Sequence, residues 1–124
     1  MGALGYRELI VWQRAMDSVE SIYLATRDWP REEVYGLTGQ ARRAAVAVPA
    51  NIAEGHGRTG PKEFLHHLSI ANGSLHEVET HLLIAKRSRY VDESSCEALL
   101  AQTAEVGRLL QGLIKSLRRS ADGD

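Results

Sequence analysis

The chain has 124 residues, 44% of them hydrophobic and 25% charged, with a formal net charge of −1, so it holds one core and one domain. A balance this close to neutral argues against a surface that attracts nucleic acid as a whole and leaves room for a local basic patch. Its one cysteine, Cys96, has no partner for an intramolecular disulfide, and residues 1–13 carry no basic stretch ahead of a long apolar run, so a cytoplasmic protein without a membrane span is expected.

The first apolar series is Leu9, Trp12, Met16, Val19 and Tyr23, a spacing that paints one stripe on a helix. Arg27 complements the dipole of its last turn, and Asp28-Trp29-Pro30 ends it. A second helix is predicted from near Arg31, with Glu32 and Glu33 in its first turn and a stripe of Val34, Leu37, Ala41, Ala44 or Ala45, and Val48. Pro49 falls inside that pattern. Proline lacks a backbone donor and presses on the carbonyl four residues earlier, that of Ala45, so a kink is predicted, with the helix continuing through Asn51, Ile52, Ala53 and Glu54 to the turn Gly55-His56-Gly57-Arg58-Thr59-Gly60. The third helix opens at Pro61 and carries the stripe Phe64, Leu68, Ala71, Leu75, Val78, Leu82, Ala85, closing on Lys86, Arg87 and Arg89. Asp92 is the expected N-cap of the fourth, whose stripe runs Cys96, Leu99, Thr103, Val106, Leu110, Leu113, Leu117 to a basic finish at Lys115, Arg118 and Arg119. Connections this short make neighbouring helices antiparallel. The expected fold is all-α: a single up-down-up-down four-helix bundle over residues 1–124, with a proline kink in helix two and an ordered core of about residues 8–118.

Little here points to catalysis. Glu63 and His66 have the Glu-x-x-His spacing of di-iron bundles, but those sites need the motif on two helices, and it occurs once. Neither a catalytic metal nor any cofactor is expected, and the five histidines read as surface residues. Cys96 sits on an apolar stripe with no adjacent cation to activate it. The glycine-rich turn after Glu54 lacks the lysine of a phosphate loop. Gln40, Arg43, Asn51 and Glu54 surround the expected kink and form a candidate polar network there. Most remaining cations lie near helix C-termini, where the dipole accounts for them; Arg42, Arg43, Arg58 and Lys62 do not, and are the candidate nucleic-acid contacts. Ile10, Val11, Leu24, Val46, Ile70, Leu83 and Ile84 fall outside the core stripes, and so many large apolar residues in a small domain suggest a second buried surface between copies.

The segment from Leu37 through Gln40-Ala41-Arg42-Arg43-Ala44-Ala45, followed by Pro49-Ala50-Asn51-Ile52-Ala53-Glu54-Gly55, resembles the signature of the bacterial four helix bundle protein family, also called the 23S rRNA intervening-sequence or S23 family. Phe64 and Ala71-Asn72-Gly73-Ser74-Leu75, with Glu77 and Glu79, resemble its second signature. The chain departs from the pattern at Ala47, where the family often has serine, and at Asn72, where it often has arginine; the missing cation makes a nucleic-acid surface on that face less expected. The resemblance implies a left-handed bundle that assembles as a homopentamer. Some relatives are encoded within rRNA genes, and others resemble a nucleic-acid-binding partner of reverse transcriptases. Fold does not assign function. The reading that follows is a non-enzymatic self-assembling scaffold or adaptor; the rivals are a nucleic-acid-binding accessory protein and a small metal binder or enzyme.

Overall fold

The computed structural model describes residues 5–123, with side chains described up to residue 120. Four helices make up the molecule: α1 (Ile10–Thr26), α2 (Leu37–His56), α3 (Pro61–Arg87) and α4 (Glu93–Gly123), with short 3-10 turns at Gly5–Glu8 and Arg31–Glu33 and no strand among the described residues. α1 packs on α2 and α4, and α3 packs on α2 and α4, so α1 and α3 stand on one diagonal of the bundle and α2 and α4 on the other. The α2–α3 junction is the most extensive.

One core cluster joins Val11 and Ala15 to Val48, Ile52, Leu68, Ala71, Val106 and Leu110. The other joins Ile22 and Trp29 to Ala41, Ala45, Val78, Leu82, Cys96 and Leu99. The apolar stripe read for the third helix is the one the structure buries, except that Phe64 is half-buried. On α4 the buried line ends on Ile114, with Leu113 and Leu117 half-buried beside it.

On α1 the structure corrects the expectation. Its core face is Val11, Ala15, Ser18, Ile22 and Thr26, one position away from the predicted stripe, while Met16 and Tyr23 are exposed. Val11, expected at an outward position, is 5% exposed and belongs to the core. The inward line includes the small side chains of Ala15, Ser18 and Thr26, and the larger Met16 and Tyr23 lie outside it.

α2 begins at Leu37 and not near Arg31, and the reason is Glu33. One oxygen of its carboxylate accepts the Leu37 N–H (2.9 Å) and the other accepts the Tyr90 hydroxyl (2.8 Å). The side chain thereby supplies a partner for a free N–H of the new helix and ties it to the residues after α3. The Leu37 N–H first, and then the Tyr90 hydroxyl, hold the Glu33 carboxyl below its ordinary range. Further along, α2 runs unbroken through Pro49, which is buried, and the Asn51 Nδ2 donates to the Ala47 carbonyl at 2.9 Å, not to that of Ala45. The N-cap expected at Asp92 is present: its Oδ1 accepts the Ser95 N–H at 2.7 Å.

Two expected outcomes follow. A Cβ on Gly55 would lie 2.6 Å from the His67 Cβ and 3.0 Å from the Phe64 ring, whereas one on Gly73 would meet nothing within 4 Å. Helix propensity favours alanine over glycine by about 1 kcal/mol at both sites. At Gly55 the overlap costs about 1–3 kcal/mol and wins. Gly55→Ala therefore lowers the urea midpoint, while Gly73→Ala raises it. For the Glu33 clamp, a depressed folded-state pKa gives stability that is present above the unfolded value and is lost as pH falls through the folded one. Glu33→Gln lowers the melting temperature at neutral pH and flattens its decline in acid; parallel melting-temperature curves for the two proteins from pH 7 to pH 3 would refute the clamp.

Candidate functional site

The exposed apolar residues form separate groups. On α1, Ile10 and Leu24 are 53% and 51% exposed; on α3, Ile70, Leu83 and Ile84 lie between 42% and 46%. Val46 is exposed on α2. The sequence reading missed Tyr35, which at 98% exposure stands clear of the bundle between the Arg31–Glu33 turn and α2, with Val34 exposed beside it. Its backbone is held on both sides, because the Gly36 N–H donates to the Glu33 carbonyl and the Leu37 N–H to the Glu33 carboxylate.

Between α2 and α3 lies a surface hollow of about 320 Å³, lined by Gln40, Arg43, Ala44, Ala47, Glu77 and His81. Its α2 side is made by Gln40, Arg43, Ala44 and Ala47, and the short side chains of the two alanines leave space beside the longer ones. His81 Nδ1 is buried without a hydrogen-bond partner among the described residues. Burial pushes its pKa below the ordinary histidine value, opposed by the Glu77 carboxylate one turn earlier. Arg43 and Glu77 have no ion pair within 4.0 Å among the described residues. A second hollow, of about 880 Å³, lies at the end of the bundle around the α2–α3 turn, where His56, Arg58 and Lys62 surround Phe64 and Leu117.

The four candidate nucleic-acid contacts do not form one patch. Arg42 is committed to the fold: its Nε donates to the Thr26 hydroxyl at 2.8 Å, its Nη2 to the Tyr23 carbonyl at 3.4 Å, and its guanidinium lies 4.7 Å from the Tyr23 ring centre. It therefore caps the C-terminal turn of α1, where a cation complements the dipole. Arg43 faces the α2–α3 hollow. Arg58 and Lys62 share the end hollow, which at 1.5 Å per residue is about 20 Å along the axis from Arg42. Arg58 also donates to Glu54 at 2.7 Å.

The polar group around Pro49 is likewise divided. Gln40 and Arg43 lie in the hollow, whereas Asn51 Oδ1 meets His67 Nδ1 at 3.3 Å and Glu54 pairs with Arg58; no hydrogen bond joins the two halves among the described residues. The Arg58 guanidinium, and then His67, lower the Glu54 pKa. Among the described residues no three His, Cys, Asp or Glu side chains gather as a metal-holding group. The Cys96 thiol is buried and donates to the Leu82 carbonyl at 3.6 Å, and burial raises its pKa, which suppresses the reactive thiolate. No helix among the described residues is long and apolar enough to cross a membrane.

Comparison with known proteins agrees with this geometry. A protein of unknown function from the S23 ribosomal protein family of Bacteroides thetaiotaomicron VPI-5482 has a similar fold, with a TM-score of 0.77 at 22% identity over 86% of this chain and 96% of that one. At that identity the likeness is one of fold alone. Nothing among curated proteins matches the chain. The family model described as 23S rRNA-intervening sequence protein matches residues 7–112, and the chain belongs to that family.

Proposed function

We propose that the protein is a non-enzymatic, self-assembling scaffold or adaptor whose working form is a homo-oligomer, a ring of five copies. The observation that carries this reading is the pair of exposed aliphatic faces on α1 and α3. Those helices stand on one diagonal, so their outward faces look in opposite directions. One copy thus offers two different faces on opposite sides, which suits head-to-tail contacts that close into a ring. The number five is carried by the family resemblance. The buried reduced thiol of Cys96 fits a cytoplasmic setting.

The aliphatic faces alone bring a junction to the lower edge of what association requires. Burying the rest of a half-exposed aliphatic side chain contributes about 1 kcal/mol, so Ile10 and Leu24 on one copy and Ile70, Leu83 and Ile84 on the next give a junction about 5 kcal/mol. Association costs roughly 4–15 kcal/mol in lost freedom. Ring closure tips the balance, because the last junction forms within an assembly already held together.

Light scattering at micromolar concentration tests the reading. A multiple of the single-chain mass is expected, and Ile70→Glu combined with Ile84→Glu should reduce it to one copy while circular dichroism stays helical. A single-chain mass for the unaltered protein would sink the proposal. A dimer would keep self-association and reject the ring.

One observation favours a second reading, binding of nucleic-acid phosphates at the end hollow, where Arg58, Lys62 and His56 converge. Changing Arg58 and Lys62 to glutamine should then weaken RNA binding and reduce its salt dependence. Absence of RNA binding by the unaltered protein at low salt would end this reading.

A further inference from the structure

The exposed faces of α1 and α3 share one pattern. On α1 the outward line is Ile10, Asp17, Leu24; on α3 it is Ile70, Glu77, Ile84. In each, an acid stands midway between two large aliphatic residues, at steps of seven residues. Seven residues advance a helix by about 10.5 Å and fall roughly 20° short of two full turns. Both lines therefore drift around their helices by the same amount, and their aliphatic ends are about 21 Å apart on each. Helices with equal heptad drift pack along each other at a shallow left-handed crossing of about 20°. Because each acid lies at the midpoint, the match holds whichever way the incoming helix runs.

Superposing the lines brings two carboxylates together at the centre, which demands a cation. The structure supplies one beside Glu77. Arg43 lines the same hollow, is exposed, and has no ion pair among the described residues. Asp17 is available to it, being 58% exposed, with its one ion pair among the described residues a loose 3.7 Å contact to Arg14. The short side chains of Ala44 and Ala47 leave room in the hollow for a carboxylate to reach the guanidinium.

We infer that the α1 face of one copy docks on the α2–α3 face of a second copy, with Asp17 of the incoming helix meeting Arg43 between two matched pairs of aliphatic residues. This rests on the proposed self-assembly and specifies which surfaces meet. The contact is heterologous: each copy uses its α1 face once and its α2–α3 face once. Charge complementarity also sets the register, since a slip of one turn would leave Asp17 and Glu77 without the shared cation.

A charge exchange tests it. Arg43→Glu alone leaves three carboxylates and no cation at the junction and should weaken association about a hundredfold, so light scattering at micromolar concentration reads a single-chain mass. Adding Asp17→Arg to that variant again sets one cation between two carboxylates, and the mass of the unaltered assembly should return. Circular dichroism checks that each variant is helical; if the reversal disturbs the bundle, Arg43→Gln takes its place, with a smaller loss expected. If the unaltered protein is oligomeric and Arg43→Glu keeps its mass, this pairing of faces is overturned while self-assembly stands. If the double variant stays dissociated, the Asp17–Arg43 contact is overturned. A monomeric unaltered protein defeats both.

Discussion

α2 and α3 meet through alanine and glycine: Ala41, Ala44, Ala45 and Gly55 are buried on one helix, Ala71 and Ala85 on the other. At Gly55 the backbone comes so close that His67 leaves no space for a methyl group. The rest of the bundle is arranged around this close pair. Large residues such as Ile52, Leu68, Leu82 and Leu110 fill the centre of the bundle beside it. The same short side chains leave the hollow beside Arg43 and Glu77 on its outer surface. Close packing inside and an accessible groove outside thus share one cause.

Charge is used in two distinct ways. Arg42, Glu33 and Asp92 serve the backbone: one caps the end of α1, the other two supply partners for N–H groups where α2 and α4 begin. These groups stabilise helix ends that would otherwise rely on solvent. Arg43 and Glu77 have no such duty among the described residues. The adjacent residues Arg42 and Arg43 therefore have opposite roles, because one turns toward α1 and the other toward the α3 hollow.

The fold class and the α3 and α4 core faces were readable from spacing, because Leu68, Leu75, Leu82 and Leu110 are large and regularly placed. α1 was not, and the reason is physical. Its inward line contains Ala15, Ser18 and Thr26, which carry little hydrophobic signal, whereas Met16 and Tyr23 carry much and flank the contact. A search for small residues at helical spacing would have identified the face. The start of α2 was obscured because Glu33 resembles an ordinary acidic first turn, and its clamp depends on Tyr90, far away in the chain. The grouping of Arg42, Arg43, Arg58 and Lys62 rested on elimination. A linear sequence does not reveal that Thr26 and Tyr23 occupy the first, or that a helix length separates it from the last two.

Cys96 lies at the start of α4, sealed between Ile22, Leu82 and Leu99, with its thiol on the Leu82 carbonyl. No reagent in solution reaches that sulfur while α4 is seated. A thiol-modifying compound would therefore act as a clock for local opening, reporting how often the first turns of α4 lift from α3 without global unfolding. Because the chain has no other cysteine, that signal comes from one position, and the protein carries its own probe of how firmly its fourth helix is held.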